Sequence, residues 1–492
     1  MKFGPTRGNP ILIFEHFFRD FGLVLLCIII TLLKGPEIIM DNIVVLAIVI
    51  ITPINTLMKY FFTTYSIDDE MMTIASGFFV KKTMEIPLKA ITTVDLSQNL
   101  LFQLFKIYKI KADNSSQTND TAQKAEVVMA LKKESALYVK SLLEAKGSES
   151  EKIDHQEVEE FRPQESITCS ILDFFLLGLL QSKAVYIISL VPFVFGGGGY
   201  VYSLFVDQSD ANDMMEKLID GFEPAAIIAI AILCSYVIGV VSSEVLTMIK
   251  YFNYTVTNQS KSLFVEYGLI TKKSYTLMKE KISGVTLKQT VLMRIFGYCT
   301  IEVFIIGYGD SSEDNKQELS ILYPIAKLSE VDGLLEKMLP EMKFDREYHQ
   351  PNKEALRFFF YNFRMAVTIA LFIGAAVLLA VEKTITQDVY IMGGGLLILV
   401  IMILTVFLEF YNSGIYANEQ VVSISTGIFT RQMIFIKTSK IESVSEKSNL
   451  LKRKRGYTSI QLGFIAPLRV ANVKAKNMTF QEYEEVQNVL SY

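Results

Sequence analysis

One segment occurs three times in this 492-residue chain. With Lys59, Lys250 and Glu409 superposed, the next 52 residues align in all three copies without a gap. A glycine follows at Gly77, Gly268 and Gly427, and then come Ile86, Leu277 and Ile436. Ile91, Ile282 and Ile441 lie further along, then Val94, Val285 and Val444, Leu101, Leu292 and Leu451, and finally Ile110, Ile301 and Ile460. The first two copies are identical at 14 of the 52 positions, with Lys81–Lys82 facing Lys272–Lys273. A repeat of this length fixes the chain as an array of like units before any element is assigned.

Each copy reads as β-structure. MMTIASG and VVSISTG alternate and end on glycine, and FFVKKTMEI and IFTRQMIFI follow in hairpin order. In the first copy ITTVDL, IKADN and EVVMAL supply further short strands. ESALYVKSLLEA, LSEVDGLLEKML and FQEYEEVQNVL then close the three units with apolar residues at helical spacing. Several short strands and one terminal helix make an antiparallel sheet domain capped by a helix.

Paired apolar runs separate the repeats: 17–33 with 43–60, 184–205 with 225–242, and 365–381 with 389–410. A spanning helix needs roughly 20 apolar residues, so the runs predict six membrane spans in three hairpins. The first run is the weakest, because Arg19 and Asp20 sit in its opening turn. No small-residue cleavage site follows it, so it reads as a retained span. The middle connector, VDQSDANDMMEKLIDGFEP, carries six acids and one lysine, whereas KYFF and KYFN follow the first two hairpins. The positive-inside rule then puts the connectors outside and the polar domains and both termini in the cytoplasm. NPILIFEHFF, RPQESITCSILDFFLLGLL and QPNKEALRFFFYNF precede the hairpins, as interfacial helices or as early turns of the spans.

The expected fold is an α+β membrane protein, three repeats of a transmembrane helical hairpin followed by a small antiparallel β-domain with a C-terminal helix. Residues 1–60 hold the first interfacial segment and hairpin, 61–146 the first β-domain and 147–163 an acidic linker. Hairpin 2 covers 164–250 and its domain 251–340. The third interfacial segment and hairpin cover 341–410, and the last domain 411–492.

Little in the chain points to catalysis. The three histidines, His16, His155 and His349, lie outside the repeated core without a metal-ligand partner. The four cysteines form no CxxC pair, which leaves a disulfide framework and a thiolate zinc site unsupported. Gly196–Gly199 and Gly393–Gly395 lack the Lys and Ser/Thr of a phosphate loop and suit helix packing or bending. No cofactor is expected, and a net charge of −4 does not point to nucleic acid.

The basic residues are the candidates for contact. Lys81, Lys82, Lys272, Lys273 and Arg431 fall four or five residues beyond the aligned glycine. Lys452, Arg453, Lys454 and Arg455 form the densest cluster. Near an anionic leaflet such groups contribute about 1 kcal/mol each. The opposing reading is that charges keep a hairpin soluble and discourage edge pairing. The second reading is favoured for the pairs, and the cluster is balanced between the two.

The order strand, Gly, strand, Ile-Pro, Ile, Val, Leu-Leu, Ile and helix, joined to an apolar hairpin, resembles the bacterial pleckstrin-homology (PH) membrane proteins of the bPH2 type. The triplicate form covers nearly the whole chain, although Ile86–Pro87 is the one copy that keeps the Ile-Pro pair. The resemblance implies PH-like domains in a multi-pass protein of the bacterial cytoplasmic membrane. It also implies a smaller single-PH-domain membrane protein as partner, and a role in envelope stress or tolerance of antimicrobial peptides. The expected function is non-enzymatic, with the domains as membrane-tethered interaction modules touching the lipid bilayer, in a possible homo-oligomer. The alternative is transport or lipid handling between the hairpins.

Overall fold

Segments MMTIAS and KTMEIP meet across Gly77 as an antiparallel hairpin, β3 (Met71–Ser76) with β4 (Lys82–Pro87). The computed structural model describes residues 3–14, 127–147, 166–181, 224–305, 320–340, 385–465 and 470–490, and parts of 54–114, 342–360 and 369–374. Gly77, Gly268 and Gly427 all have positive φ, at 107°, 107° and 118°. A Cβ at any of them would collide with the carbonyl of the residue three positions on, Val80, Thr271 or Thr430. Glycine at this turn is therefore a steric requirement in every copy.

In the first repeat, β1 (Phe3–Thr6), β2 (Thr64–Ile67), β3 and β4 form one sheet in that order. β5 (Ile91–Gln98), β6 (Ile107–Asn114) and β7 (Val127–Lys132) follow as antiparallel neighbours, and the helix Lys133–Gly147 closes the unit. The core between them holds Met72, Ile86, Val94, Ile110, Met129 and Val139. In the second repeat β8 (Ser166–Thr168), β9 (Thr255–Asn258), β10 (Ser262–Tyr267) and β11 (Lys272–Met278) make the first sheet order. β12 (Ile282–Gln289), β13 (Tyr298–Ile305) and β14 (Ser320–Lys327) make the second, ahead of the helix Val331–Met338. In the third, β15 (Gly414–Ala417), β16 (Val421–Thr426) and β17 (Arg431–Lys437) precede β18 (Ile441–Lys447), β19 (Tyr457–Ile465) and β20 (Val470–Thr479), with Phe480–Leu490 as the final helix.

The first strand of each repeat comes from upstream of the apolar run. β1 pairs with β2, β8 with β9, and His349 bridges Ile415. These strands are too short for the alternation test, which explains why the sequence does not announce them. The repeat also holds in detail, since β5, β12 and β18 each carry a register shift at the same place, after Ile91, Ile282 and Ile441.

The chain divides into two compact units, Met1–Thr257 with Phe264–Thr276, and Asn258–Leu263 with Leu277–Tyr492. Among the described residues, no helix is long and apolar enough to cross a membrane. This corrects the expectation of six spans in three transmembrane hairpins. It also removes the support for a multi-pass location in the cytoplasmic membrane, for membrane tethering of the domains and for the bilayer as a partner. Runs 17–33 and 184–205, and nearly all of 43–60 and 365–381, lie outside the described residues. The two longest described helices are Pro224–Tyr251 and Ile385–Asn412, the latter unbroken through Gly393–Gly395.

Both long helices spend apolar residues on protein neighbours. The helix Ile171–Gln181 packs on Pro224–Tyr251 and buries Phe174, Leu177 and Leu180. Val406 and Phe410 pack with Phe359 of the helix Leu356–Phe360. The other face of Pro224–Tyr251 leaves Leu233, Val237 and Val241 exposed. Hydropathy along a sequence does not distinguish these faces, because it counts apolar residues and not what covers them. The interfacial-helix reading of the preceding segments meets the same correction: Ile11 and Leu12 pack on Phe102 and Ile107, and Ala355 and Phe358 on Tyr457.

Gly178 lets Glu244 approach the shorter helix, since a Cβ there would collide with the carboxylate. Both carboxylate oxygens of Glu244 are buried without a hydrogen-bond partner among the described residues. Burial therefore pushes its pKa up. An acid with a raised folded pKa costs stability as pH rises above its unfolded value, about 4.3. Thermal melts from about pH 4 upward should show the first unit losing stability with rising pH through that window, and Glu244→Gln should flatten the slope.

Candidate functional site

The seven-strand sheet of the first unit runs β7-β6-β5-β11-β10-β9-β8, so the second sheet of repeat 1 continues into the first sheet of repeat 2. The junction pairs Lys272 with Gln98, Lys273 with Ser97, Ser274 with Leu96 and Tyr275 with Asp95. In the second unit the six-strand sheet β14-β13-β12-β17-β16-β15 repeats the arrangement between repeats 2 and 3. There Gln289 faces Arg431, Leu287 faces Met433 and Gly284 faces Ile436. Gln98 and Gln289 are equivalent positions, as are Lys272 and Arg431, so the two junctions share one register. A strand edge is a row of unpaired amides and carbonyls that templates another strand, and the repeats use that property on each other.

Side chains latch both junctions at equivalent positions. Gln103 Nε2 donates to the carbonyls of Leu269 at 3.3 Å and Ile270 at 2.8 Å, in the glycine turn of the next repeat. Arg294 stands where Gln103 does, and reaches the next glycine turn through Asn412. Its guanidinium donates to Asn412 Oδ1 at 2.7 Å, and Asn412 Nδ2 donates to the carbonyls of Gly427 at 3.0 Å and Ile428 at 2.9 Å. Both latching residues sit on a short helix, Leu100–Leu104 or Val291–Phe296, whose N-cap is Asn99 or Thr290. Gln98 and Gln289 pin the strand end, each donating to a carbonyl at 2.7 Å, of Ile107 and Tyr298. In repeat 3, Ser448 donates to the carbonyl of Tyr457 at 2.9 Å in the same way.

The basic candidates lie on separate hairpins. Lys81 and Lys82 are exposed at the start of β4. Lys272 and Lys273 begin β11, inside the first junction. Arg431 is half-buried in the second junction, where its Nε donates to Ser425 Oγ at 3.1 Å and its guanidinium lies over Tyr348, 4.9 Å from the ring centroid. Desolvation, with Arg294 nearby, pulls its pKa down to about 10. Among the cluster, Lys452 is half-buried, and its pKa is lowered by burial and then by Lys474 and Lys476. Arg453, Lys454 and Arg455 are exposed around the helix Leu450–Arg453. Lys476 is ion-paired with the buried Glu409.

Gln103, Arg294 and Asn412 escape a search for titratable or ligating residues, because an amide gripping a main-chain carbonyl has no signature motif. The available signal is positional: Gln98 and Gln289 are identical across copies, and Gln103, Arg294 and Arg453 place a side-chain donor at one aligned position. His349 stacks on Tyr416 with ring centroids 5.8 Å apart, a packing role, while His16 and His155 lie outside the described residues. Among the described residues no group of three or more His, Cys, Asp or Glu could hold a metal ion.

A family model described as Bacterial PH domain matches residues 21–146, 201–339 and 366–492. The UPF0699 transmembrane protein YdbT of Bacillus subtilis (strain 168) is 24% identical over 310 residues, 61% of this chain and 60% of that protein. The match thus spans less than two thirds of that relative's length. No solved structure matches.

Proposed function

The chain belongs to the bacterial PH domain family, and from that membership we propose that it is an assembly scaffold whose domains recognise other β-domains through their strand edges. The PH domain is a non-catalytic fold, and the protein is not an enzyme. One observation carries the proposal: two successive domain junctions in this chain are made the same way, by strand addition in one register. Strand addition draws affinity from main-chain hydrogen bonds and specificity from the alternating side chains. In this reading Lys81, Lys82, Lys452, Arg453, Lys454 and Arg455 are partner contacts at unfilled edges, and Lys272, Lys273 and Arg431 serve the internal ones. A closer kinship to the Bacillus subtilis relative is a narrower part of the reading, supported by the identity over 310 residues and by the triplication.

A photo-crosslinking residue at Thr83, on the β4 edge, should give protein adducts in cells. The same residue at Ser141, at an exposed position in the middle of the capping helix, should not. Equal labelling at both positions, or none at Thr83 and at Ser445 of β18, would overturn the proposal.

A further inference from the structure

Among the described residues, the two filled junctions leave two edges of the same kinds open. Every junction joins a β5-type strand of one repeat to a β4-type strand of the next. In repeat 1, β4 pairs with β3 alone among the described residues. In repeat 3, β18 pairs with β19 alone among the described residues. Exposure records the missing neighbours. Ser283, Thr286 and Leu287 of β12 are buried beneath β17, whereas the equivalent Glu442, Ser445 and Glu446 of β18 are exposed. On the other side, Met433 and Ile434 of β17 are buried, whereas Thr83 and Met84 of β4 are exposed.

We infer that β18 of one chain pairs with β4 of a second copy of this chain, head to tail, in the register of the internal junctions. This rests on the strand-edge reading above and names its partner. Carried over residue by residue, that register sets Ser448 opposite Lys81, Lys447 opposite Lys82 and Ser445 opposite Met84. The latch carries over as well. Arg453 occupies the position of Gln103 and Arg294, and is exposed at the end of its short helix. That helix has the same N-cap bond as its counterparts, from Lys452 N to Asn449 Oδ1 at 2.9 Å. In the head-to-tail pair Arg453 meets the Gly77–Val80 turn of the second copy, as Gln103 meets the turn after Gly268. Leu450 and Leu451, 81% and 62% exposed, lie beside it and gain cover.

The pairing is heterologous, so copies add in a ring or a row and do not close as a twofold dimer. Lys447 facing Lys82 is its one like-charged pair, and like charges directly opposite weaken a strand pair. Charges on both open edges therefore keep the association reversible, while the internal junctions, with Ser97 facing Lys273 and Lys288 facing Gln432, carry no such conflict.

The test uses two full-length chains with different tags, expressed together. One carries Met84→Cys and the other Ser445→Cys, both at exposed positions where the fold tolerates the change. A disulfide-linked species containing both tags is expected, lost on reduction and absent when either variant is paired with the natural chain. Met84→Cys with Glu442→Cys, three positions out of register, should give several-fold less. Lys82→Glu should raise the in-register yield several-fold by replacing the like-charged pair. Equal yields from the two cysteine pairs, no mixed-tag species, or a loss of yield with Lys82→Glu would overturn the inference. An adduct at Thr83 with a different protein, and no mixed-tag disulfide, would overturn it while leaving the strand-edge reading standing.

Discussion

Asn412→Ala should destabilise the second unit by about 2–4 kcal/mol, the sum expected for one bond to a charged group and two to carbonyls of half-buried residues. Asn412 is completely buried and makes all three bonds at once. Alanine leaves the guanidinium of Arg294 and the carbonyls of Gly427 and Ile428 without their partner, and the cost of orphaned polar groups exceeds that of the bonds alone. Repeat 1 suggests the rescue, because Gln103 grips the same turn directly, through the carbonyl of Leu269, equivalent to Ile428, and that of Ile270. Arg294→Gln in the Asn412→Ala background should therefore recover part of the loss, although Arg294→Gln alone should be destabilising. A double-mutant cycle from urea melts reads this as a coupling of about 1 kcal/mol or more. Additive effects would show that the two residues do not form one latch.

The glycine turns carry a second expectation at one place in the hairpin. Gly268→Ala or Gly427→Ala should each cost about 1–3 kcal/mol, the range for a non-glycine residue held at positive φ. Denaturant melts of the two variants check it.

Much of this fold was legible in the sequence because the triplication reports on itself. A glycine forced by a positive φ, a helix N-cap and a core Ile or Val recur at fixed distances because each repeat solves the same local problem. The capping helices were legible for the same reason, from their apolar spacing. What failed was the environment of the apolar runs. Phe174, Leu177, Val406 and Phe410 read as lipid-facing by composition, yet they cover neighbouring helices. Hydropathy measures a tendency to leave water and does not name the destination. The junctions were hidden for another reason, since main-chain pairing between residues as far apart in the chain as Asp95 and Tyr275, or Gly284 and Ile436, leaves almost no trace in side-chain chemistry. The lysine pairs attracted notice by their charge, whereas at the first junction the backbone beneath Lys272 and Lys273 is what engages the neighbouring strand.

Gly284→Thr should cost the second unit about 1–3 kcal/mol, the usual range for overpacking a filled site. The substitution installs the residue that repeat 1 has at the same position, Thr93. A Cβ at Gly284 would come 2.5 Å from the carbonyl oxygen of Phe435 and 3.4 Å from the ring of Phe304, so β17 cannot keep its approach. The two junctions differ in extent: the first, where Thr93 stands at that position, pairs with β11 over Asp95–Gln98, whereas the second reaches back to Gly284. Ser443→Thr makes the matched change on β18, where the edge is open and exposed, and should stay within about 0.5 kcal/mol of the parent. Denaturant melts of the two variants separate a junction effect from a strand-propensity effect, since threonine enters the same repeat position in both. Hydrogen exchange then locates the loss: amides of Ile434–Ile436 should lose protection in Gly284→Thr and keep it in Ser443→Thr. Similar costs at both positions would mean that the close approach of β12 and β17 contributes little, and the inference drawn for the open edges would lose its template.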